Sequence, residues 1–196
     1  GDIREIKTNP LVNYNIISLD QNLRNNSSVY FINLNTHRAN DFIDANVTSA
    51  GVNLVSKKSS YSVGGDIKFS QRDTSILKNL FKINENDGLS YSMRFAKIAG
   101  NFKFSLSSEN KSPNYNPNDL GVNFTTNIRT HSTKLQYNKY NPFWILNSSY
   151  NSFTFSIEQD YTTHKILKKK YNGKLFFIDP NFNAFYISMS SQVGDG

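Results

Sequence analysis

The chain has 196 residues, of which 37% are hydrophobic, 14% aromatic and 19% charged, and its formal net charge is +7. The aromatic content excludes a disordered chain and the low apolar content argues against a compact helical core. With no Cys, disulfides, thiolate metal sites and a cysteine nucleophile are excluded.

The basic residues are scattered, and the densest run is only Lys168-Lys169-Lys170. A groove that tracks phosphates needs tighter clustering, so no nucleic-acid partner is expected. No apolar stretch approaches the roughly 20 residues of a membrane helix. The start, Gly1-Asp2-Ile3, shows no targeting peptide, which is either absent or already removed.

Taken in order, the chain repeats a two-residue rhythm. Successive side chains of a strand point to opposite faces, so each such segment is a ribbon with two different sides. Val12, Tyr14 and Ile16 alternate with Asn13, Asn15 and Ile17, and Tyr30, Ile32 and Leu34 with Phe31, Asn33 and Asn35. Ala50, Val52 and Leu54 alternate with Ser49, Gly51 and Asn53, and Lys57–Ser59 is a tight turn. In the next arm Tyr61, Val63, Ile67 and Phe69 oppose Ser60, Ser62, Asp66 and Lys68.

Residues 71–88 break the rhythm, and Ile76, Leu77, Leu80 and Phe81 carry the only helical spacing. The run Asn84–Gly88 lacks the alternate acids of a calcium loop and reads as a solvated turn. Alternation resumes with Leu89, Tyr91, Met93 and Phe95 against Ser90, Ser92, Arg94 and Ala96. Gly100-Asn101 is a hairpin signal, and the return arm sets Phe102, Phe104 and Leu106 against Lys103, Ser105 and Ser107. A Pro- and Asn-rich loop, Lys111–Asp119, precedes Leu120, Val122, Phe124 and Ile128, which oppose Asn123, Thr125, Asn127 and Arg129. A turn is expected near Thr130–Ser132, then Leu135 and Tyr137 against Lys134, Gln136 and Asn138. Trp144, Leu146 and Tyr150 form one apolar face, Phe153, Phe155 and Ile157 another, and two less regular arms follow near Leu175–Ile178 and Phe182–Met189. The expectation is ten to twelve strands in one unit without a linker.

Two architectures use one apolar face per strand. In a soluble sandwich the apolar faces meet each other; in a membrane barrel they meet lipid and the polar faces line a lumen. The arms suit the 9–11 residues of a membrane strand, against a soluble mean nearer 5–6. Short turns alternate with long loops, and aromatics recur near the ends of the apolar stripes, both as in outer-membrane barrels. The fold expected is therefore all-β, an antiparallel meander of long amphipathic strands forming a transmembrane β-barrel.

Several stretches carry a resemblance. Pro10–Leu23, Asn25–Val29, Asp44-Ala45-Asn46-Val47-Thr48 and Asn116-Pro117-Asn118-Asp119-Leu120-Gly121 resemble a family of uncharacterised outer-membrane proteins of Bacteroidetes-type bacteria. Its members usually carry an N-terminal family-9-type carbohydrate-binding domain ahead of a large C-terminal barrel of unknown function. The resemblance covers most of residues 1–160 and weakens afterwards. It implies a bacterial outer-membrane location, lipid as a partner, other envelope proteins in a complex, and a glycan link through a domain missing here. It supplies no reaction and no catalytic residues. The chain then reads as a single barrel segment over 1–196, incomplete at both ends.

Other constellations read as ordinary surface. His37, His131 and His164 have no metal-ligand spacing and fall at strand ends, so no metal is expected. No Gly-x-Ser-x-Gly elbow or Gly-rich phosphate loop is present, and Asp41, Asp44, Glu158 and Asp160 read as solvated acids. No cofactor and no catalytic group are assigned. The polar faces carry Asp66, Lys68, Arg94, Lys103, Arg129 and Lys134, expected to face a lumen either as a mildly cationic pore lining or as structural ion pairs. The residues expected to face lipid are Tyr61, Val63, Ile67, Phe69, Tyr91, Met93, Phe95, Phe102, Phe104, Val122 and Phe124. The functional expectation is a non-enzymatic pore, transporter component or surface-complex platform. The alternative is a soluble all-β carbohydrate-binding module, suggested by exposed aromatics and Asn-rich loops.

Overall fold

The computed structural model of the chain describes residues 11–39, 43–73, 87–118 and 125–194. Ten strands follow one another: β1 Val12–Asn22, β2 Ser28–Arg38, β3 Asp44–Val55, β4 Tyr61–Asp73, β5 Gly88–Lys97, β6 Phe102–Lys111, β7 Ile128–Lys139, β8 Ser148–Asp160, β9 Ile166–Ile178 and β10 Ala184–Gly194. A 3-10 turn, Arg24–Asn26, joins the first two. Every strand pairs antiparallel with the next, and the spatial order is the sequence order. The sheet is open, with β1 and β10 as its edges. It is an all-β antiparallel meander of the strand number and length that the alternation predicts.

The turns explain where strands stop. Ser59 adopts φ 50 and its N–H donates to the Ser56 carbonyl (2.7 Å), while the Ser56 hydroxyl accepts from the N–H groups of Ser60 and Tyr61 (3.1 Å each). Gly100 takes φ 84, a conformation that favours glycine, but the connection runs from Ile98 to Asn101 and is longer than a two-residue primed turn. Between β8 and β9, Asp160 Oδ1 accepts from the N–H groups of Thr162 (3.0 Å) and Thr163 (2.7 Å). That arrangement is the side-chain mimic of a backbone turn that favours Asp here.

Three expectations change. No turn lies at Thr130–Ser132, which is continuous strand inside β7. Trp144 and Leu146 belong to the connection ahead of β8, closed by the Phe143–Leu146 bridge, and Trp144 sits at φ 50. Tyr150 therefore shares its face with Ser152 and Thr154, because the apolar phase of β8 is set by Phe153, Phe155 and Ile157 on the other side. The helical spacing at Ile76–Phe81 and the alternation at Leu120–Phe124 lie outside the described residues.

One side of the sheet is apolar from β3 to β10. The register sets Ala50 opposite Ile67, Ile67 opposite Tyr91, Phe95 opposite Leu106, Phe104 opposite Leu135, Leu135 opposite Phe153, and Leu175 opposite Ile187. Phe95 lies between Tyr61 (6.1 Å, stacked) and Phe104 (5.6 Å, edge-on). Yet the buried apolar residues among those described are only Ala45, Val47, Ala96 and Tyr115. The chain exposes 13519 Å², whereas a compact monomer of its mass would expose about 9,400 Å². Among the described residues no second layer covers the apolar side, which departs from the two-layer rule for soluble domains.

The first two strands differ. Tyr14, Ile16, Ile32 and Leu34 lie on the side that carries polar residues elsewhere, with Ile16 opposite Leu34 and Leu34 opposite Val47. On that side Tyr30 lies directly opposite Gly51, and its ring fills the space where a Gly51 Cβ would be.

Candidate functional site

The polar side of the sheet is the candidate site. In a meander of this kind, residues directly opposite one another share a face, so rows can be followed from strand to strand. One row runs Asp66, Ser92, Glu109, Thr130, Glu158 and Lys168. The next runs Gly64, Arg94, Ser107, Ser132, Ser156 and Lys170. Then come Ala96, Ser105, Lys134, Thr154 and Asn172, and after them Lys103, Gln136, Ser152, Lys174 and Ser188. Asp66, Lys68, Arg94, Lys103 and Lys134 thus share one face.

Arg129 does not. It pairs with Asn110 and Gln159 and shares the face of Leu135 and Tyr137. Its guanidinium lies 4.4 Å from the Tyr161 ring centroid, and Nη1 is 2.9 Å from His164 Nδ1. β7 begins at Ile128 and runs unbroken through Thr130–Ser132, so Arg129 takes the parity of Leu135 and Tyr137 and not that of the alternation ahead of it. Ile128 consequently lies on the polar side, opposite Lys111 and Asp160.

The face also holds charges that the sequence reading passed over. In β9, Lys168, Lys170 and Lys174 point to the polar side while Lys169, Tyr171 and Leu175 point to the other. The signal was the alternation Lys168, Lys170, Asn172, Lys174, blurred by Lys169 and Gly173 on the apolar side. Glu109, Lys111 and Glu158 lie on this face as well.

These charges are zoned. Asp66, Glu109 and Glu158 lie toward the end of the sheet that carries the 74–87, 112–127 and 161–165 connections, and each of the three has a cation. Lys68 Nζ is 2.9 Å from Asp66, Lys111 is 3.3 Å from Glu109, and Glu158 is flanked by Lys168 (3.6 Å) and Lys170. The Ser92 hydroxyl also donates to Asp66. Toward the opposite end, Arg94, Lys103, Lys134 and Lys174 sit in rows without an acid. Arg94 Nε donates to Ser105 (3.2 Å) and Lys103 Nζ to the Tyr140 hydroxyl (3.2 Å). Asn138 and then Lys103, both bonded to that hydroxyl, hold the Tyr140 pKa below the usual phenol range.

One loop folds back over this face. Tyr115 is 5% exposed, its N–H donates to the Ser112 carbonyl (3.2 Å), and the next N–H, of Asn116, donates to Ser70 Oγ (3.0 Å). Burial pushes the Tyr115 phenol up, against the opposing pull of Lys68 nearby. The loop after β6 therefore covers the Asp66–Lys68 end of the polar side.

On the other side, Tyr61, Val63, Ile67, Phe69, Tyr91, Met93, Phe95, Phe102 and Phe104 share one face, as their parity requires. Met93 is 68% exposed there. A shallow hollow of about 520 Å³ on this face is lined by Val52, Val63, Met93, Phe95, Leu106 and His131, among others. Val122 and Phe124 lie outside the described residues.

The three histidines lie apart. His37 Nδ1 is 2.8 Å from Asp44 Oδ2 at the β2–β3 end, His131 is on the apolar side, and His164 is in the β8–β9 turn. Among the described residues no group of three His, Asp or Glu is placed to hold a metal ion. No helix among them is long and apolar enough to cross a membrane.

The family model of a domain of unknown function, DUF5916, matches residues 1–196, so the match extends through the arms after residue 160 as well. Neither a curated protein nor a solved structure matches the chain.

Proposed function

Starting from a chain that belongs to the DUF5916 family, a domain of unknown function, we propose that its ten strands are wall of a bacterial outer-membrane β-barrel. The barrel acts as a pore, a transporter component or a platform for a surface complex, and carries out no reaction of its own. The observation that supports this reading is the two-sidedness of the sheet. A largely apolar face from β3 to β10, with no second layer over it among the described residues, lies back to back with a face of Ser, Thr, Asn and charges. A soluble sandwich would bury the first face, whereas a barrel in lipid leaves it outermost and wets the second.

The dimensions agree. From Tyr61 to Phe69 the apolar stripe of β4 rises about 26 Å along the strand. At a tilt of about 40° this spans about 20 Å of membrane normal, close to the roughly 25 Å apolar band of such barrels. Two exposed aromatics, Trp144 and Phe182, stand in the turns at one end of the strands, where interfacial aromatics anchor barrels. The open edges at β1 and β10 fit a wall that continues into further strands, since long unpaired edges are otherwise a liability.

The absence of native Cys makes the test direct. Spin labels attached after single Val63→Cys, Ile67→Cys and Phe95→Cys changes, in protein folded into lipid vesicles, should relax faster with oxygen, which concentrates in lipid. Labels after Ser62→Cys, Asp66→Cys and Ser107→Cys should respond to a water-soluble nickel chelate. A folded monomer in plain buffer, or the same response on both faces, would remove the barrel reading.

A further inference from the structure

We propose that the acid-free end of the polar face is a binding track for solutes carrying more than one phosphate or carboxylate group, with Lys134 at its centre flanked by Lys103 and Lys174. The proposal rests on the barrel-wall reading, which makes this face water-filled and closed to lipid.

The argument begins with how the other charges are used. Asp66, Glu109 and Glu158 each have a lysine within ion-pair reach, so those charges are balanced inside the sheet. Lys103, Lys134 and Lys174 have no carboxylate partner among the described residues, and Arg94 reaches only a hydroxyl. They are not scattered. Lys103 faces Gln136 on β7, two residues from Lys134, so these two are diagonal neighbours. Lys134 faces Thr154, Thr154 faces Asn172, and Asn172 stands two residues from Lys174. Diagonal neighbours such as Lys103 and Lys134 lie about 7–8 Å apart, inside the roughly 8–10 Å over which salt screens charge, while Lys174, two strands from Lys134, lies about 12 Å from it across Thr154 and Asn172.

Like charges held this close repel unless an anion is shared between them. The residues between them, Ser105, Gln136, Thr154 and Asn172, are hydroxyls and amides that donate hydrogen bonds without adding charge. Rings of basic side chains with such spacers select anions in pores. Several cations on a rigid sheet also favour a multivalent anion over chloride, because one solute then satisfies several of them at once.

The test uses the full chain folded into phosphatidylcholine vesicles, with inorganic tripolyphosphate as probe. Co-flotation with vesicles reads insertion, and calorimetric titration reads binding. One variant combines Lys103→Gln, Lys134→Gln and Lys174→Gln. The control removes equal charge from the exposed turns by Lys57→Gln, Lys58→Gln and Lys165→Gln. Saturable binding is expected, at least tenfold weaker in the first variant and changed less than twofold in the control. Lys134→Gln alone should weaken it about threefold, which keeps the test valid if the triple variant fails to fold. Floating protein that binds no tripolyphosphate, or loses it equally in both triple variants, overturns the track and leaves the barrel wall standing. Protein that does not float with the vesicles overturns both.

Discussion

The backbone of Tyr115 closes over Gly88, the first residue of β5, so tightly that a Cβ on Gly88 would collide with the Tyr115 Cα and the Asn114 carbonyl oxygen. The loop leaving β6 is thereby pinned to the start of the strand before it, and Ser112 links the same two elements through Leu89, whose N–H donates to its hydroxyl (2.9 Å). A glycine is required here for space. Gly88→Val should expel the loop and re-expose Tyr115, at a cost of about 1–3 kcal/mol for overpacking. Limited proteolysis should then cut within residues 112–118 faster than in the parent chain, while the remaining strands stay protected.

The Thr36 hydroxyl is fully buried and has no hydrogen-bond partner among the described residues. It lies on the polar side opposite Tyr14 and Ala45. An unsatisfied buried hydroxyl costs about 1–3 kcal/mol. Thr36→Val keeps the shape and the β-branch, so it should raise stability by about 1 kcal/mol. A higher urea midpoint in mixed micelles, with unchanged slope, is the expected outcome.

Met93 and Thr130 offer a comparison of the two faces. Met93→Arg puts a charge on the apolar side and should cost about 2–4 kcal/mol of folding stability in lipid if that face meets the bilayer core. Thr130→Arg puts the same charge between Glu109 and Glu158 on the polar side. It should change stability by no more than about 0.5 kcal/mol, as surface substitutions usually do. Reversible unfolding from vesicles measures both, and equal effects would contradict the assignment of the faces.

Asp179, in the turn between β9 and β10, accepts from the Asn183 N–H (2.8 Å) and side-chain amide (2.8 Å), and these bonds hold its carboxyl below the usual range. A lowered folded pKa stabilises above the unfolded value of about 3.9, and that stabilisation is lost as pH falls through the folded pKa. Asp179→Ala should therefore destabilise the turn at pH 6, and the gap from the parent chain should close below about pH 4. Hydrogen exchange at Phe182 and Asn183 across that range checks the sign.

Much of the sheet was legible residue by residue. Val63, Ile67 and Phe69 against Ser62, Asp66 and Lys68 could have been assigned to faces from parity alone, because the period of a strand is two. Arg129 lies on the face opposite to the one expected, because a turn was placed between it and Leu135. The turn expected at Thr130–Ser132 is continuous strand, so Arg129 keeps the parity of Leu135 and Tyr137. Tyr150 failed likewise, since Trp144 and Leu146 belong to a turn and carry no strand phase forward.

The amino-acid sequence by itself determined the strand period and the two-sided character of most arms, because these depend on neighbours along the chain, and it bounded the strand number at ten to twelve. Only the tertiary structure decided which arms sit in register. Register brought Lys103, Lys134 and Lys174 into one acid-free zone, matched Glu158 with Lys168 and Lys170, and folded Tyr115 back onto Gly88. Those relationships join residues far apart in the chain. A slip of one residue in pairing would invert a strand's faces without altering a letter of its sequence.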